Sequence, residues 1–400
     1  MNILIANTQE FNPSIGGVER VSTVLAQEFK KLGYNVYFLA CLTSSYSKEY
    51  KPVVPQTILS DSIKYNSSKN IEDFSILLQE LQIDIIMNQA GNIKNFSSLC
   101  FEAALIYKKT KVISVVHIDP IYKFKLLLDF STSSLPSQKK YFNLVRRIIL
   151  LPYRILKTYI SERSLYNFVY NKSDSLVLLS PSFQNDFKKI TRLNSYSKLT
   201  AISNPYPFKI NSVYEDSNKE NKLIYVGRLD YNHKRTDRLL TVWSKLASDF
   251  PNWSLDIVGN GPLEEELIEY VRINKIKRLN FIGFADPIKY YKRSKILCMT
   301  STFEGFGMVL IEGAYYGCIP IAFNSFSSLS DIIEHKMNGY MIKPYCLKEY
   351  EKELRLIMGN EELRSKLRIE TSKIPYKFQS EQIVKQWVSI FNNFKNNTKA

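Results

Sequence analysis

The sequence predicts an α/β chain of two successive units, each a parallel sheet covered by helices. Three observations carry that prediction. Short apolar runs of strand length recur along the 400 residues, mostly separated by stretches with helical periodicity. Strands joined through helices form parallel sheets with right-handed crossovers. The pattern breaks in a polar run, Asn211–Asn221, that reads as a linker, and it restarts at Lys222. Glycines also stand where several runs end, and open α/β sheets bind their ligands at the carboxyl ends of strands. The expected boundaries are a first domain over 1–205, a second over 206–375 and a final helical segment over 376–400. With 45% apolar residues, either half can bury a sizeable core.

The first strand is Met1–Ala6, followed by an amphipathic helix over Val21–Leu32. Between them lies Ser14-Ile15-Gly16-Gly17-Val18-Glu19-Arg20, where Gly16 and Gly17 would let backbone approach an anion at the start of a helix. The plainer reading of the same glycines is a tight strand-to-helix turn. Strands are next expected at Asn35–Ala40, Ile83–Asn88, Lys111–Val116, Ser175–Ser180 and Leu199–Ser203. His117 directly follows the Lys111–Val116 run, at the strand end where a ligand would sit, although a lone histidine there is more often structural.

After the linker, strands are expected at Lys222–Val226, Trp253–Val258, Leu279–Ile282, Ile296–Thr300 and Ile319–Phe323. Gly227-Arg228-Leu229-Asp230 closes the first of these, and a helix opens in His233-Lys234-Arg235-Thr236-Asp237 and runs through Leu246. Gly259-Asn260-Gly261-Pro262 closes the second, and Gly283 the third. Glu304 to Glu312, EGFGMVLIE, follows the fourth and carries two carboxylates, with Gly305, Phe306 and Gly307 where a helix should begin. Amides at a helix start are free and lie at the positive end of its dipole, so an anion fits there. If that helix begins near Gly305, a rise of about 1.5 Å per residue puts Glu304 and Glu312 on the order of 12 Å apart. That is roughly the length of a nucleotide diphosphate. One carboxylate could then hold a ribose and the other a hexose.

Composition excludes several classes. Five scattered cysteines without C-x-x-C spacing argue against a disulfide framework and a zinc site, and a reducing cytoplasm fits them best. Met1-Asn2-Ile3-Leu4-Ile5 has no basic n-region, and no run approaches the ~18 apolar residues of a spanning helix, so neither secretion nor membrane insertion is expected. The net charge is +16. Residues 1–205 hold 25 basic against 15 acidic side chains and so carry +10 of it. A basic surface suits a phosphorylated ligand, anionic lipid or nucleic acid, but no nucleic-acid-binding motif is present.

The stretch EGFGMVLIE resembles the E-x7-E signature of retaining glycosyltransferases of the GT-B fold, the large family 4 of sequence classifications (glycosyl transferases group 1). VGRLD, Lys234 six residues after Arg228, VGNGP, FIGF and NGYMI occur in that family's order and spacing, and Gly16-Gly17-Val18-Glu19 matches its GG-x-E segment. The resemblance implies two Rossmann-like domains facing a cleft, with a C-terminal helix around Trp387–Phe391 returning to the first. It implies an enzyme that moves a hexose-type sugar from a nucleotide sugar, UDP being common, to a lipid-linked or polysaccharide acceptor in capsule, O-antigen or lipopolysaccharide assembly. Catalysis would rest on His117 near the reacting carbon, Arg228 and Lys234 on the leaving diphosphate and Glu304 on sugar hydroxyls. Gly16, Gly17, Gly227, Gly259, Gly305, Phe306, Gly307 and Glu312 would bind the donor. No D-x-D occurs, so no metal and no other cofactor is expected.

Lys139–Phe168 is set apart. On a helical wheel Tyr141, Leu144, Ile148, Leu151, Ile155, Leu156, Tyr159 and Ile160 cover one side, Lys140, Arg146, Arg147, Arg154 and Lys157 the other, and Pro152 predicts a kink. Such a face can hold a cytoplasmic protein on the inner surface of an anionic membrane, or pack on its own domain with a solvated basic side. Two further functions stay open at this point. A sugar-nucleotide epimerase of similar architecture would need an acid and a base poised on the sugar. A noncatalytic basic protein would bind nucleic acid or membrane on charge alone.

Overall fold

The computed structural model describes residues 1–43, 50–129, 147–206 and 219–397. The chain divides into two compact units. One comprises Met1–Pro120, Tyr159–Lys209 and Phe378–Ala400, and the other Ile121–Thr158 and Ile210–Lys377. The first domain expected over 1–205 is therefore interrupted. Ile121–Thr158, which lies in sequence between two strands of the first sheet, groups with the second unit.

In the first unit seven parallel strands stand in the order β3-β2-β1-β4-β5-β6-β7. They are β1 Asn2–Ala6, β2 Asn35–Ala40, β3 Gln56–Ile58, β4 Ile85–Asn88, β5 Lys111–Val116, β6 Ser175–Leu178 and β7 Leu199–Ala201. β4 and β6 are buried throughout and β1 and β5 nearly so, which is why they read as continuous apolar runs rather than alternating ones. The helix after β1 begins at Gly17, four residues before the expected start, with Gly16 as its extended N-cap. The last helix, Ser380–Asn397, packs on Gly17–Lys31 through Phe391, whose ring lies 5.3 Å from that of Phe29. Phe29 and Phe391 are both fully buried, and each such ring contributes about 1.5–3 kcal/mol through burial.

In the second unit six parallel strands stand in the order β10-β9-β8-β11-β12-β13. They are β8 Glu220–Val226, β9 Ser254–Val258, β10 Leu279–Gly283, β11 Ser294–Met299, β12 Ile319–Phe323 and β13 Tyr340–Ile342. Leu223, Leu255, Ile296 and Ile321 from the sheet enclose a core with Leu239, Leu240, Trp243 and Leu354 from the helices Thr236–Leu246 and Leu347–Gly359. The linker read at Asn211–Asn221 lies outside the described residues up to 218, and Glu220 already belongs to β8.

In both sheets the strand order reverses beside the first strand of the unit, between β1 and β4 and between β8 and β11. Such a reversal leaves a crevice at the carboxyl ends, the place where doubly wound sheets bind ligands. The glycine pair after β1 and the turn after β8 stand at these two places.

The long helix expected over Lys139–Phe168 is different. Residues 130–146, including Lys140, Tyr141, Leu144 and Arg146, lie outside the described residues. Residues 147–149 are helical, a turn follows at Leu150, and a new helix runs over Leu151–Lys172. Pro152 therefore sits in a first turn, where its missing N–H costs nothing, and the expected kink is instead a helix start.

Candidate active site

Three loops build the site in the second unit. The turn after β8 packs on the turn after β9 through backbone: the Gly227 N–H donates to the Val258 carbonyl at 3.0 Å and the Leu229 N–H to the Asn260 carbonyl at 2.9 Å. The contact needs glycine. Gly259 has φ +133°, and a Cβ there would stand 2.0 Å from the Gly227 oxygen. The third loop follows β11. Its helix runs over Met308–Tyr315, three residues later than expected from Gly305, because Gly307 at the N-cap has φ +96°, which cannot continue a helix. The first-turn amides accordingly begin at Met308, with that of Leu310 already bonded to the Gly307 carbonyl at 2.9 Å, and Glu304 stands in the turn before the helix. Glu312 lies one turn inside it, buried, with the Tyr291 hydroxyl 3.4 Å from its Oε2. The ring of Phe306 is buried at 3% exposure, so this residue offers the site its backbone.

Lys234 and Glu304 meet directly. The Lys234 ammonium donates to Oε1 at 2.7 Å and to Oε2 at 2.9 Å, and the Ser301 hydroxyl donates to Oε1 at 2.6 Å. His233 Nε2 stands 3.4 Å from Oε2, outside hydrogen-bonding alignment, and its ring stacks on Phe303 with centroids 4.4 Å apart. Burial alone would raise the pKa of the Glu304 carboxyl. The Lys234 and His233 side chains outweigh it and hold the group well below the usual carboxylate range. Arg228, on the same turn as Gly227, is exposed and makes no ion pair with a described residue, while its carbonyl accepts from the Tyr225 hydroxyl.

A second charge network borders this pair. Asp129, buried, accepts from Arg238 Nη2 at 2.5 Å, the Thr302 hydroxyl at 2.8 Å and Arg235 Nη1 at 3.3 Å. Arg235 also makes a two-pronged pair with Asp237, both contacts at 2.9 Å. Arg147, placed on the solvated basic side by the helical wheel, instead donates to the Asp129 carbonyl at 3.0 Å. Arg235 follows Lys234 and Thr302 precedes Glu304 by two residues, so Asp129 ties together the two loops that carry the central pair. These contacts also explain why Ile121–Thr158 groups with the second unit.

In the first unit Gly16 and Gly17 open the helix beside β1. Glu19, buried in its first turn, accepts from the Asn7 amide at 2.9 Å, and burial raises its pKa against the hydrogen bonds that lower it. His117 follows β5. Its Nε2 contacts Gln89 Oε1 at 2.5 Å, and burial pushes its pKa down to about 4, so the imidazole is neutral at pH 7.

Of the residues expected in the site, Lys234, Glu304, Gly227 and Gly259 come together in the second unit, with Gly305 and Gly307 on the adjoining turn. Glu312 points to Tyr291 instead, and Gly16, Gly17 and His117 belong to the first unit. Sequence reading missed Asp129, His233, Ser301 and Gln89. Gln89 alone carried a usable signal, a polar residue directly after a buried strand.

Comparison with known proteins agrees with this geometry. Residues 209–373 match the model of the family described as glycosyl transferases group 1. The chain is 28% identical over 391 residues to an uncharacterized glycosyltransferase of Haemophilus influenzae, covering 94% of this chain and 96% of that one. It is 29% identical over 266 residues to an amylovoran biosynthesis glycosyltransferase of Erwinia amylovora, covering 63% and 72%. The structure of Anabaena HepE in complex with UDP and glucose superposes with a TM-score of 0.73 at 15% identity, covering 98% of this chain and all of that one. The matched motifs on the strand ends of a doubly wound sheet mark residues 209–373 as a domain of the glycosyl transferases group 1, and the chain as a whole has the two-domain GT-B type of α/β fold.

Proposed function

We propose that this enzyme transfers a hexose-type sugar from a nucleotide sugar, UDP being the favoured carrier, with retention at the anomeric carbon and without a metal. The observation that carries the reading is the Lys234–Glu304 pair between glycine-lined turns at strand ends. Lys234 spends two protons on Glu304 and keeps a third for a phosphate oxygen. Glu304, held ionised, accepts from vicinal sugar hydroxyls. As the anomeric C–O bond to the diphosphate breaks, negative charge grows on the leaving oxygen, and Lys234, the exposed Arg228 and the amides of Met308 and Val309 suit its stabilisation. The acceptor oxygen bonds to the anomeric carbon on the face the diphosphate leaves, and its proton passes to a diphosphate oxygen. No separate base is then needed.

The acceptor is a glycan or lipid-linked glycan of a bacterial surface polysaccharide. The amylovoran relative and the UDP and glucose in HepE support this direction. So does the helix after Leu150. Tyr153, Leu156 and Ile160 are 58–63% exposed at helical spacing, with Arg154 and Lys157 exposed beside them. An apolar stripe flanked by cations suits reversible contact with an anionic membrane, where a lipid-linked acceptor would be met. No helix of the described residues is long and apolar enough to cross a membrane. The test is a thermal-shift screen of nucleotide sugars followed by donor hydrolysis with the best one. Stabilisation by a UDP-sugar with slow release of UDP is expected, and stabilisation by none would sink the reading.

A further inference from the structure

The turns after β4 and β5 lie side by side: Asn88 pairs with Ser114, and the Gly91 N–H donates to the Val115 carbonyl at 3.0 Å. Gln89 and His117 stand on these turns. The amide oxygen of Gln89, itself 2% exposed, lies 2.5 Å from His117 Nε2. An oxygen only accepts, so the imidazole proton sits on Nε2 and Nδ1 is left with a lone pair. Gln89 Nε2 and His117 Nδ1 are both buried without a hydrogen-bond partner among the described residues. The first is a donor and the second an acceptor. Turning the amide over would exchange the two roles and again leave one donor and one acceptor. Nδ1, on the ring edge away from Gln89, can accept from a hydroxyl, and the Gln89 amide N–H can donate to a separate oxygen. Buried polar groups left unpaired are costly, and a site built to bond a hydroxyl rejects an analogue that lacks it.

We propose that Gln89 is the positioning residue of His117, holding the imidazole proton on Nε2 so that Nδ1 accepts from a hydroxyl of the bound sugar. The inference rests on the glycosyltransferase reading above and adds Gln89 to it. Gln89 sets the tautomer, and His117 Nδ1 makes the contact.

The first arm of the test needs no substrate. In 15N-histidine spectra of the full-length protein at pH 7, assigned with His117→Ala, His117 should be protonated on Nε2 with an exchange-protected proton. Gln89→Met should lose the protection, and Gln89→Glu, which keeps an oxygen there, should retain it. A wild-type His117 protonated on Nδ1, or full protection in Gln89→Met, would overturn the proposal. If Gln89→Met does not fold, Gln89→Glu decides by whether its Nε2 proton persists. The second arm is donor hydrolysis with the best UDP-hexose. Gln89→Met should lower kcat/KM about tenfold when His117 is present and by less than about twofold in a His117→Ala background, as coupled residues require. Equal losses in both backgrounds would mean a merely structural glutamine. Should the wild type turn over no nucleotide sugar, the reading of the enzyme fails, while the tautomer still decides the role of Gln89.

Discussion

The two units meet the same problem, polar chemistry at the end of a parallel sheet, in opposite ways. In the second unit the buried charges around the site are matched: Lys234 with Glu304, and Arg235 and Arg238 with Asp129 and Asp237. In the first unit two groups at the strand ends, Glu19 and His117, are pushed toward neutrality, the first upward and the second downward, each by burial. Matched charges suit a diphosphate that gains negative charge as it leaves. Neutral donors and acceptors suit hydroxyls, whose charge does not change. The contrast fits the proposed function, with the diphosphate at the second unit, and it can be attacked one group at a time.

The largest effect is expected from breaking the network around Asp129. Removing one partner of a buried ion pair leaves an uncompensated charge and typically costs about 3–5 kcal/mol. Asp129→Ala should lower stability in urea by that order, whereas Glu19→Gln, which replaces a group already inclined to neutrality, should cost under about 1 kcal/mol. If the two variants unfold alike, charge matching does not distinguish the units.

Next comes the central pair itself. Lys234→Ala removes a donor preorganised for the leaving group, and the loss of one such donor typically costs about 100- to 1,000-fold in kcat. Arg228→Ala should cost about 100-fold on the same ground, with weaker donor binding as the lesser effect. Near-normal turnover in a folded Arg228→Ala protein would remove the exposed guanidinium from the mechanism.

What the sequence showed and hid has a physical pattern. Strands buried on both faces, such as β4 and β5, announce themselves as apolar runs, and so do the glycine turns at their ends. β3 did not, being three residues long and largely exposed. The helix after Glu304 begins later than its composition predicts because its start is set by the left-handed backbone of Gly307, a conformation rather than a composition. Asp129 was invisible for another reason. Its partners lie 106 to 173 residues further along the chain, and nothing local marks a carboxylate that will be buried among them. Arg147 escaped in the same way, since a helical wheel cannot show that a cation on its polar side will reach back to a carbonyl.

The exposed stripe on Leu151–Lys172 sharpens the comparison from outside the sheets. Each cation near an anionic surface contributes about 1 kcal/mol, so replacing Arg154 and Lys157 with Gln should weaken binding to anionic vesicles by about 30-fold, less at high salt. Donor hydrolysis in solution should stay nearly unchanged. Vesicle binding as strong as the parent's would make this face a solvated one and free the acceptor from any lipid.

The smallest effect expected is none. If Lys234 and Arg228 together do for the leaving diphosphate what a divalent ion does in enzymes with a D-x-D motif, then chelation removes nothing the reaction uses. Initial rates of donor hydrolysis with excess EDTA should remain within about twofold of the untreated enzyme, the range in which only uniform binding has changed. The experiment also cuts between the units. Loss of activity restored by manganese would mean that the fixed cations of the second unit do not suffice, and the charge matching around Glu304 would then be a matter of folding alone. Unchanged rates in the wild type beside a deep loss in Lys234→Ala would assign the charge stabilisation to the protein's own cations.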